Sequence, residues 1–130
     1  MAEKRNYVRF PVEGNVEFKP EGPDGDVVLA RLVDIGFLGL CAFSDKKIEV
    51  GTLVDFNIYI KTIREHFLGK GKVLSALEVR KYRKVFFRTS VVFRDTDTDK
   101  ILSVLTKIED HINKEKRKRW QSGEAGVGVL

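Results

Sequence analysis

The sequence predicts an all-β single domain with a C-terminal helix, in the form of a six-stranded antiparallel barrel. Short segments in which apolar and polar residues alternate recur at close spacing up to residue 94, with no helical segment between them. Stretches rich in proline, glycine and polar residues separate these segments. Beyond residue 94 the apolar period changes from two residues to the spacing of a helix.

The strands can be assigned in order from this pattern. Residues 1–12 are polar and basic without periodicity, and we predict that they form a flexible arm. The predicted strands are 15–19, 26–35, 39–43, 52–60, 66–77 and 84–94. Glycines within the fifth strand indicate a bulge or a barrel bend, and residues 78–83 are predicted to form a basic turn.

A helix that lies with one face on the barrel is predicted after the last strand. Asp95–Asp99 supplies several N-cap candidates and places negative charge near the helix N-terminus. An apolar stripe at helical spacing follows, made by Ile101, Leu105, Ile108 and Ile112. The stripe ends at Asn113, so we assign residues 13–113 to the barrel with its packing helix, and 114–130 to a basic helix end and a Gly-rich tail.

Composition limits the classes of function. The chain has 130 residues, of which 42% are hydrophobic and 33% charged, as expected for one soluble globular domain. No window has the apolar length of a membrane span or of a signal peptide, so a cytoplasmic protein is predicted. The single cysteine, Cys41, excludes a disulfide framework and a Cys-based zinc site and is predicted to be buried. A net charge of +5 favours an anionic partner.

Two short motifs contain the candidate site. Near the N-terminus, Arg5 and Arg9 stand four positions apart just before an apolar run. Further along, the turn Asp34-x-Gly36-x-x-Gly39 joins two predicted strands. Glycine lets a backbone or a ligand approach closely, and an ionised Asp accepts two N–H donors from one planar partner. Taken alone, the second motif is also explained by an Asp that bonds its own turn.

Together, Arg5-x-x-x-Arg9 and Asp34-x-Gly36-x-x-Gly39 resemble the two-part signature of the PilZ family, bacterial receptor domains for cyclic di-GMP. The family pattern is Arg-x-x-x-Arg, followed further on by Asp or Asn, then x-Ser-x-x-Gly. The match departs from this pattern at Gly36, where the family usually has Ser. The resemblance extends from Lys4 to about Ile112 and implies a six-stranded barrel with a C-terminal helix, which is the architecture predicted from periodicity.

The resemblance also implies how the ligand is held. The ligand-binding residues that it implies are Arg5, Arg9, Asp34, Gly36, Gly39 and Lys4. The arginines would bind phosphates or guanine O6 and N7, where each bidentate pair contributes about 1–3 kcal/mol of discrimination. Asp34 would accept from the N1–H and N2–H₂ donors of guanine. The hydroxyl that is missing at Gly36 removes one hydrogen bond of about 0.5–1.5 kcal/mol, which weakens binding without abolishing it.

The predicted function is that of a signalling receptor in which the nucleotide pins the arm onto the barrel and creates a surface that a downstream protein reads. The sequence contains no Ser/Cys–His constellation, metal-ligand spacing or phosphate loop, so no enzyme activity, cofactor or metal is predicted. One alternative is a PilZ-like interaction module that does not bind nucleotide, which Gly36 favours. The other is a small barrel that binds single-stranded nucleic acid through a basic groove and outward aromatic residues. The sequence does not decide whether the chain forms a homo-oligomer.

Overall fold

The computed structural model describes residues 8–23 and 25–121, with side chains up to residue 118. The elements within these residues are β1 (Arg9–Pro11), β2 (Gly14–Pro20), β3 (Val28–Gly36), β4 (Gly39–Ser44), β5 (Leu53–Ile60), β6 (Glu65–Lys81), β7 (Lys84–Arg94) and α1 (Thr98–Gln121). The predicted strands are present, and β1 is an additional short strand.

Strands β2 to β7 form a closed antiparallel barrel. The order is β3-β2-β5-β6-β7-β4, and pairing of β3 with β4 closes it. Strand β1 pairs with the C-terminal half of β3, on the edge where β2 pairs with its N-terminal half. The predicted fold class, a six-stranded antiparallel barrel with a C-terminal helix, is confirmed.

Alternation along the strands fills the barrel interior. In β5, Val54, Phe56, Ile58 and Ile60 are buried while the residues between them face outward. Phe56, Phe67 and Phe93 pack with ring centroids 5.5–5.8 Å apart, in the range for favourable aromatic pairs. Cys41 is buried, as predicted.

Residues 9–12 differ from the predicted flexible arm. Arg9–Pro11 is a strand paired with β3, and the Val12 N–H donates to the Val33 carbonyl at 3.2 Å. The side chain of Phe10 is partly buried, and that of Val12 is buried. This two-residue alternation continues β2 toward the N-terminus, but it is too short to distinguish from an irregular segment in the sequence. The predicted arm before Val8 lies outside the described residues.

Residues 78–83 also differ from the prediction of a basic turn. Strand β6 continues to Lys81 and pairs with β7 up to Lys84, so the turn consists of Tyr82 and Arg83 alone. Both have positive φ, 53° and 63°, the left-handed conformation of a tight two-residue hairpin. A bulge is present in this strand, but its register shift lies between Val73 and Ser75, beyond the glycines from which a bulge or bend was predicted.

Helix α1 begins after Asp97, whose carboxylate accepts from the Asp99 N–H at 2.9 Å. Ile101, Val104 and Ile108 are buried against one end of the barrel. The helix continues through Gln121, and its exposed side chains from residue 113 to 118 agree with the end of the apolar stripe. Among the described residues, no helix has the length and apolarity needed to cross a bilayer.

Candidate functional site

Arg9 and Asp34, one residue from each predicted motif, form an ion pair. Nη2 and Nε of Arg9 lie 2.7 Å and 2.9 Å from Oδ1 of Asp34. The Asp34 side chain is 18% exposed and that of Arg9 is 46% exposed. The other predicted cations of the arm, Lys4 and Arg5, lie outside the described residues. The structure therefore brings together the two motifs that the sequence separates by 25 positions.

Strand β1 and a bulge in β3 position this pair. In the β1–β3 register, Arg9 lies opposite Gly36 and Pro11 opposite Asp34. The register between β3 and β4 shifts between Leu32 and Asp34. Because side chains alternate across a strand, the extra residue turns Asp34 to the outer face while Leu32 stays inside.

Gly36 has a packing role in this corner of the barrel. A Cβ atom at this position would lie 3.0 Å from the Val8 carbonyl oxygen and 3.3 Å from Cγ of Arg9. The φ angle of Gly36 is not positive, since among the glycines of the described residues only Gly22 and Gly51 have positive φ. The absence of a side chain at Gly36 therefore permits β1 to lie close against β3.

Gly39 is required by the contact between β4 and β7. A Cβ atom there would overlap the carbonyl oxygen of Val91 on the neighbouring strand. This contact by itself accounts for a glycine at position 39. The role that the family resemblance implies for Gly39, close approach of a ligand, stays a prediction.

The strand register adds neighbours that the sequence analysis missed. Asp34 lies opposite Cys41, and Cys41 opposite Ser90, so a row of small residues crosses β3, β4 and β7 on the outer face. The adjacent row on the same face consists of Arg31, Phe43 and Arg88. We call these two rows the outer shelf. Period-two counting from Arg31 places Asp34 on the opposite face, and only the bulge in β3 brings the two residues to one face.

A groove of about 460 Å³ lies on the outer face of β2, β3 and β5. Its lining residues are Glu13, Gly14, Asn15, Arg31, Leu32, Tyr59 and Lys61. Arg31 borders both this groove and the outer shelf, but the groove contains none of the residues predicted to bind ligand. Among the described residues, no group of three or more His, Cys, Asp or Glu side chains could hold a metal ion.

The architecture is similar to several solved structures. The PilZ domain of Escherichia coli YcgR with c-di-GMP matches with a TM-score of 0.70 at 15% identity, over 88% of this chain and 98% of that chain. The K. pneumonia MrkH–c-di-GMP complex matches with a TM-score of 0.69 at 15% identity, over 88% and 55% of the two chains. The Bacillus subtilis inhibitor of motility, MotI/DgrA, matches with a TM-score of 0.61 at 15% identity, over 88% and 53%. No family model and no curated protein matches the chain.

The extent of these matches defines the fold. The chain spans nearly all of the isolated YcgR domain and about half of the MrkH and MotI/DgrA chains. Each of the three matches covers 88% of this chain, with TM-scores of 0.61–0.70. The chain therefore has the fold of a PilZ domain.

Proposed function

We propose that this chain is a cytoplasmic receptor for cyclic di-GMP, without enzyme activity, and that bound nucleotide completes a surface read by a partner protein. The observation that carries the proposal is the Arg9–Asp34 pair, since it joins one residue of each motif at 2.7 Å on the outer face. The fold supports it, because two of the similar structures are described as c-di-GMP complexes.

The geometry of Asp34 suits a guanine acceptor. Both contacts from Arg9 go to Oδ1, and within the described part of the chain Oδ2 accepts no hydrogen bond. A carboxylate has about four lone-pair sites, so Oδ2 can accept from N1–H and N2–H₂ of a guanine while Oδ1 still holds the arginine. Asp34 then has two roles, to bind one base and to orient Arg9.

Arg9 is suited to the acceptors of the ligand. Its Nε and one terminal nitrogen face Asp34, which leaves the remaining N–H donors for a phosphate oxygen or for guanine O6 and N7. Since Arg9 is half exposed, its pair with Asp34 contributes at most about 1 kcal/mol, and the ligand can rearrange it at small cost.

The outer shelf offers a surface for the rest of the nucleotide. Cys41 is buried, but Ser90 is partly exposed and has a small side chain, so a ring can lie over β7 on the side of Asp34. Adjacent strands are about 4.8 Å apart, which places Ser90 roughly 10 Å from Asp34. The exposed guanidinium of Arg88 and the half-buried ring of Phe43 can stack on a purine there.

The proposed mechanism involves a shorter arm than the sequence predicts. Because Arg9–Pro11 is paired with β3, we confine the proposed ordering on binding to the residues before Val8. Arg5 is four positions from Arg9, a distance of about 14 Å in an extended chain, so it can reach a ligand on the outer shelf. We expect the nucleotide to draw Lys4 and Arg5 against the barrel, and the partner protein to read the combined surface.

Calorimetric titration with cyclic di-GMP at physiological salt tests the proposal. We expect saturable binding that weakens at least tenfold in Asp34→Asn, a loss above roughly 1.4 kcal/mol, because the neutral amide presents donors to the guanine donors. Asp55→Asn is the matched control, since it makes the same change at an exposed carboxylate on the outer face of β5. Its affinity should equal that of the unmodified chain.

Three outcomes contradict the proposal. If no heat and no thermal shift appear at high ligand concentration, the chain is a PilZ-like interaction module that does not bind nucleotide. If Asp34→Asn and Asp55→Asn behave alike, the nucleotide binds away from the Arg9 corner. Tight, strongly salt-dependent binding of a single-stranded oligonucleotide in place of the cyclic dinucleotide would favour the nucleic-acid alternative.

A further inference from the structure

The β6–β7 hairpin projects beyond the barrel as a two-stranded ribbon, which we define as residues 75–88. Strand β5 pairs with β6 only up to Lys72, and the loop before β5 bonds to Val73. Strand β4 pairs with β7 only from Phe87 onward. Within the ribbon, residues 79–86 pair only with each other, so both edges are open there, whereas Phe87 and Arg88 at its base still pair with β4.

The ribbon is one of two segments with a strongly positive balance. It carries five of the 24 basic residues and one of the 19 acidic residues, the same balance as residues 114–119. The five cations are Arg80, Lys81, Arg83, Lys84 and Arg88. Glu78 pairs with Arg80 at 2.9 Å, and no other ribbon cation meets a carboxylate within the described part of the chain. The remaining charge is available to an anionic partner.

Apolar side chains accompany these cations on every side of the ribbon. Tyr82 stands at the apex and is 85% exposed. By register, Arg80 and Val85 share one face, whereas Lys81 and Lys84 share the other with the pair Val79 and Phe86. A partner with one rigid surface would contact only one of these faces, but a layer of lipid headgroups surrounds a projecting tip and contacts both.

We propose that the ribbon tip docks on an anionic membrane surface, with Tyr82 at the level of the headgroups and the cations around it paired with lipid phosphates. Each Lys or Arg near such a surface contributes about 1 kcal/mol, and tyrosine is enriched at membrane interfaces. Single-stranded nucleic acid fits less well, because its binding uses several exposed rings and Tyr82 is the one largely exposed Phe, Tyr or Trp ring among the described residues. The proposal does not depend on nucleotide binding.

Sedimentation with lipid vesicles tests the proposal. The full chain should bind vesicles of phosphatidylcholine mixed with phosphatidylglycerol, should not bind phosphatidylcholine alone, and should dissociate at high salt. The ribbon variant Arg80→Gln/Lys81→Gln/Arg83→Gln/Lys84→Gln should bind at least about a hundredfold more weakly. The matched control makes the same change in charge on the exposed helix end, as Lys114→Gln/Lys116→Gln/Arg117→Gln/Lys118→Gln, and should stay within about threefold of the unmodified chain.

The docking depth is tested by a separate variant that keeps every charge. Tyr82→Trp, made in a Trp120→Phe background, should show a blue shift and quenching by brominated lipids with anionic vesicles only. Equal losses in the two charge variants, or no blue shift on binding, would overturn the proposal. An oligonucleotide that binds more tightly than the vesicles and displaces them would overturn it in favour of nucleic acid. The Trp probe also decides the question if the ribbon variant does not fold.

Discussion

The two ends of the barrel use charged residues in opposite ways. At the Arg9 corner, Asp34 is mostly buried and holds an arginine at 2.7 Å, under a strand that packs tightly on glycine. At the ribbon tip, cations surround an exposed tyrosine, and within the described residues only Arg80 has a carboxylate partner. A paired and positioned charge suits a small ligand of fixed shape, whereas unpaired charges on a projecting turn suit an extended surface.

The same contrast holds for the backbone. Two glycines at the Arg9 corner let strands approach more closely than a side chain would permit, and neither has positive φ. The ribbon turn shows the reverse, since Tyr82 and Arg83 adopt positive φ without being glycine. Structure at the corner thus depends on close packing, while the tip keeps large polar side chains in a conformation that costs roughly 1 kcal/mol or more per residue.

The largest effect is expected from filling the close contact at Gly39. Gly39→Ala places a Cβ atom against the Val91 carbonyl, so β4 and β7 must separate and their ladder must distort. We expect a loss of about 1–3 kcal/mol in the free energy of unfolding, measured by urea denaturation. Leu38→Ala in the same turn, which shortens an exposed side chain, should lose much less. If Gly39→Ala were as stable as the unmodified chain, close packing at Gly39 would not be what stabilises this end of the barrel.

The barrel could be predicted from the sequence because each strand except β1 is long enough to show its alternation. In β5 four buried residues at alternate positions decide the face, and no partner strand is needed to see it. Strand β1 is three residues long with Phe10 at its centre, and its pairing depends on the glycine opposite Arg9. The pairing of β1 thus depends on a residue that is distant in the sequence, and the local pattern of apolar and polar residues does not show it.

The site could be predicted only in part, for a similar reason. The sequence analysis named Arg9 and Asp34, which the structure brings together, but it did not connect Arg31 or Arg88 with them. The bulge between Leu32 and Asp34 reverses the face of every later residue in β3, and no glycine or proline in that stretch marks it. Without the bulge, counting by two places Asp34 inside the barrel and separates it from the outer shelf.

A smaller effect of opposite sign is expected at the ribbon turn. Arg83→Gly relieves the positive φ of 63° and should raise the free energy of unfolding by about 1 kcal/mol, visible as a higher Tm. Lys84→Gly is the matched control, because it also removes a cation but from a paired strand position, where glycine lowers stability by about 0.5–1 kcal/mol. If both variants lose stability, the ribbon turn is not strained, and the backbone difference between the turn and the Arg9 corner does not hold.

The third change tests whether the close packing at Gly36 limits the ligand. Gly36→Ser requires β1 to move by a few tenths of an ångström from a contact of 3.0 Å, which Val8 permits because it precedes the strand and is exposed. Stability should fall by less than about 1 kcal/mol. Affinity for cyclic di-GMP should rise about twofold to tenfold through one added hydrogen bond. Gly36→Ala crowds β1 equally but adds no hydroxyl, so equal affinities of the Ser and Ala variants would exclude that bond.

The smallest effect is a dependence on pH that should be confined to the end where α1 packs. A hydrogen bond from Lys107 Nζ, with the charges of Lys107 and Lys100, holds the pKa of Glu65 below its ordinary value. The unfolded chain then binds this proton more readily than the folded chain. The stabilisation is therefore complete above the ordinary pKa of about 4.3 and is lost as the pH falls through the lower folded pKa.

Amide exchange measured across this acidic range separates the two ends of the molecule. Exchange in α1 should accelerate as Glu65 is protonated, because the helix loses its ion pairs to the start of β6. Exchange in the β6–β7 ribbon should not follow the same transition, since Lys100 and Lys107 contact the opposite end of β6. Glu65→Gln should remove the acid transition in α1 and leave other carboxylates to titrate as before. A transition of equal size in the ribbon would mean that the two ends unfold as one unit, and that the separation argued from their charges does not extend to their stability.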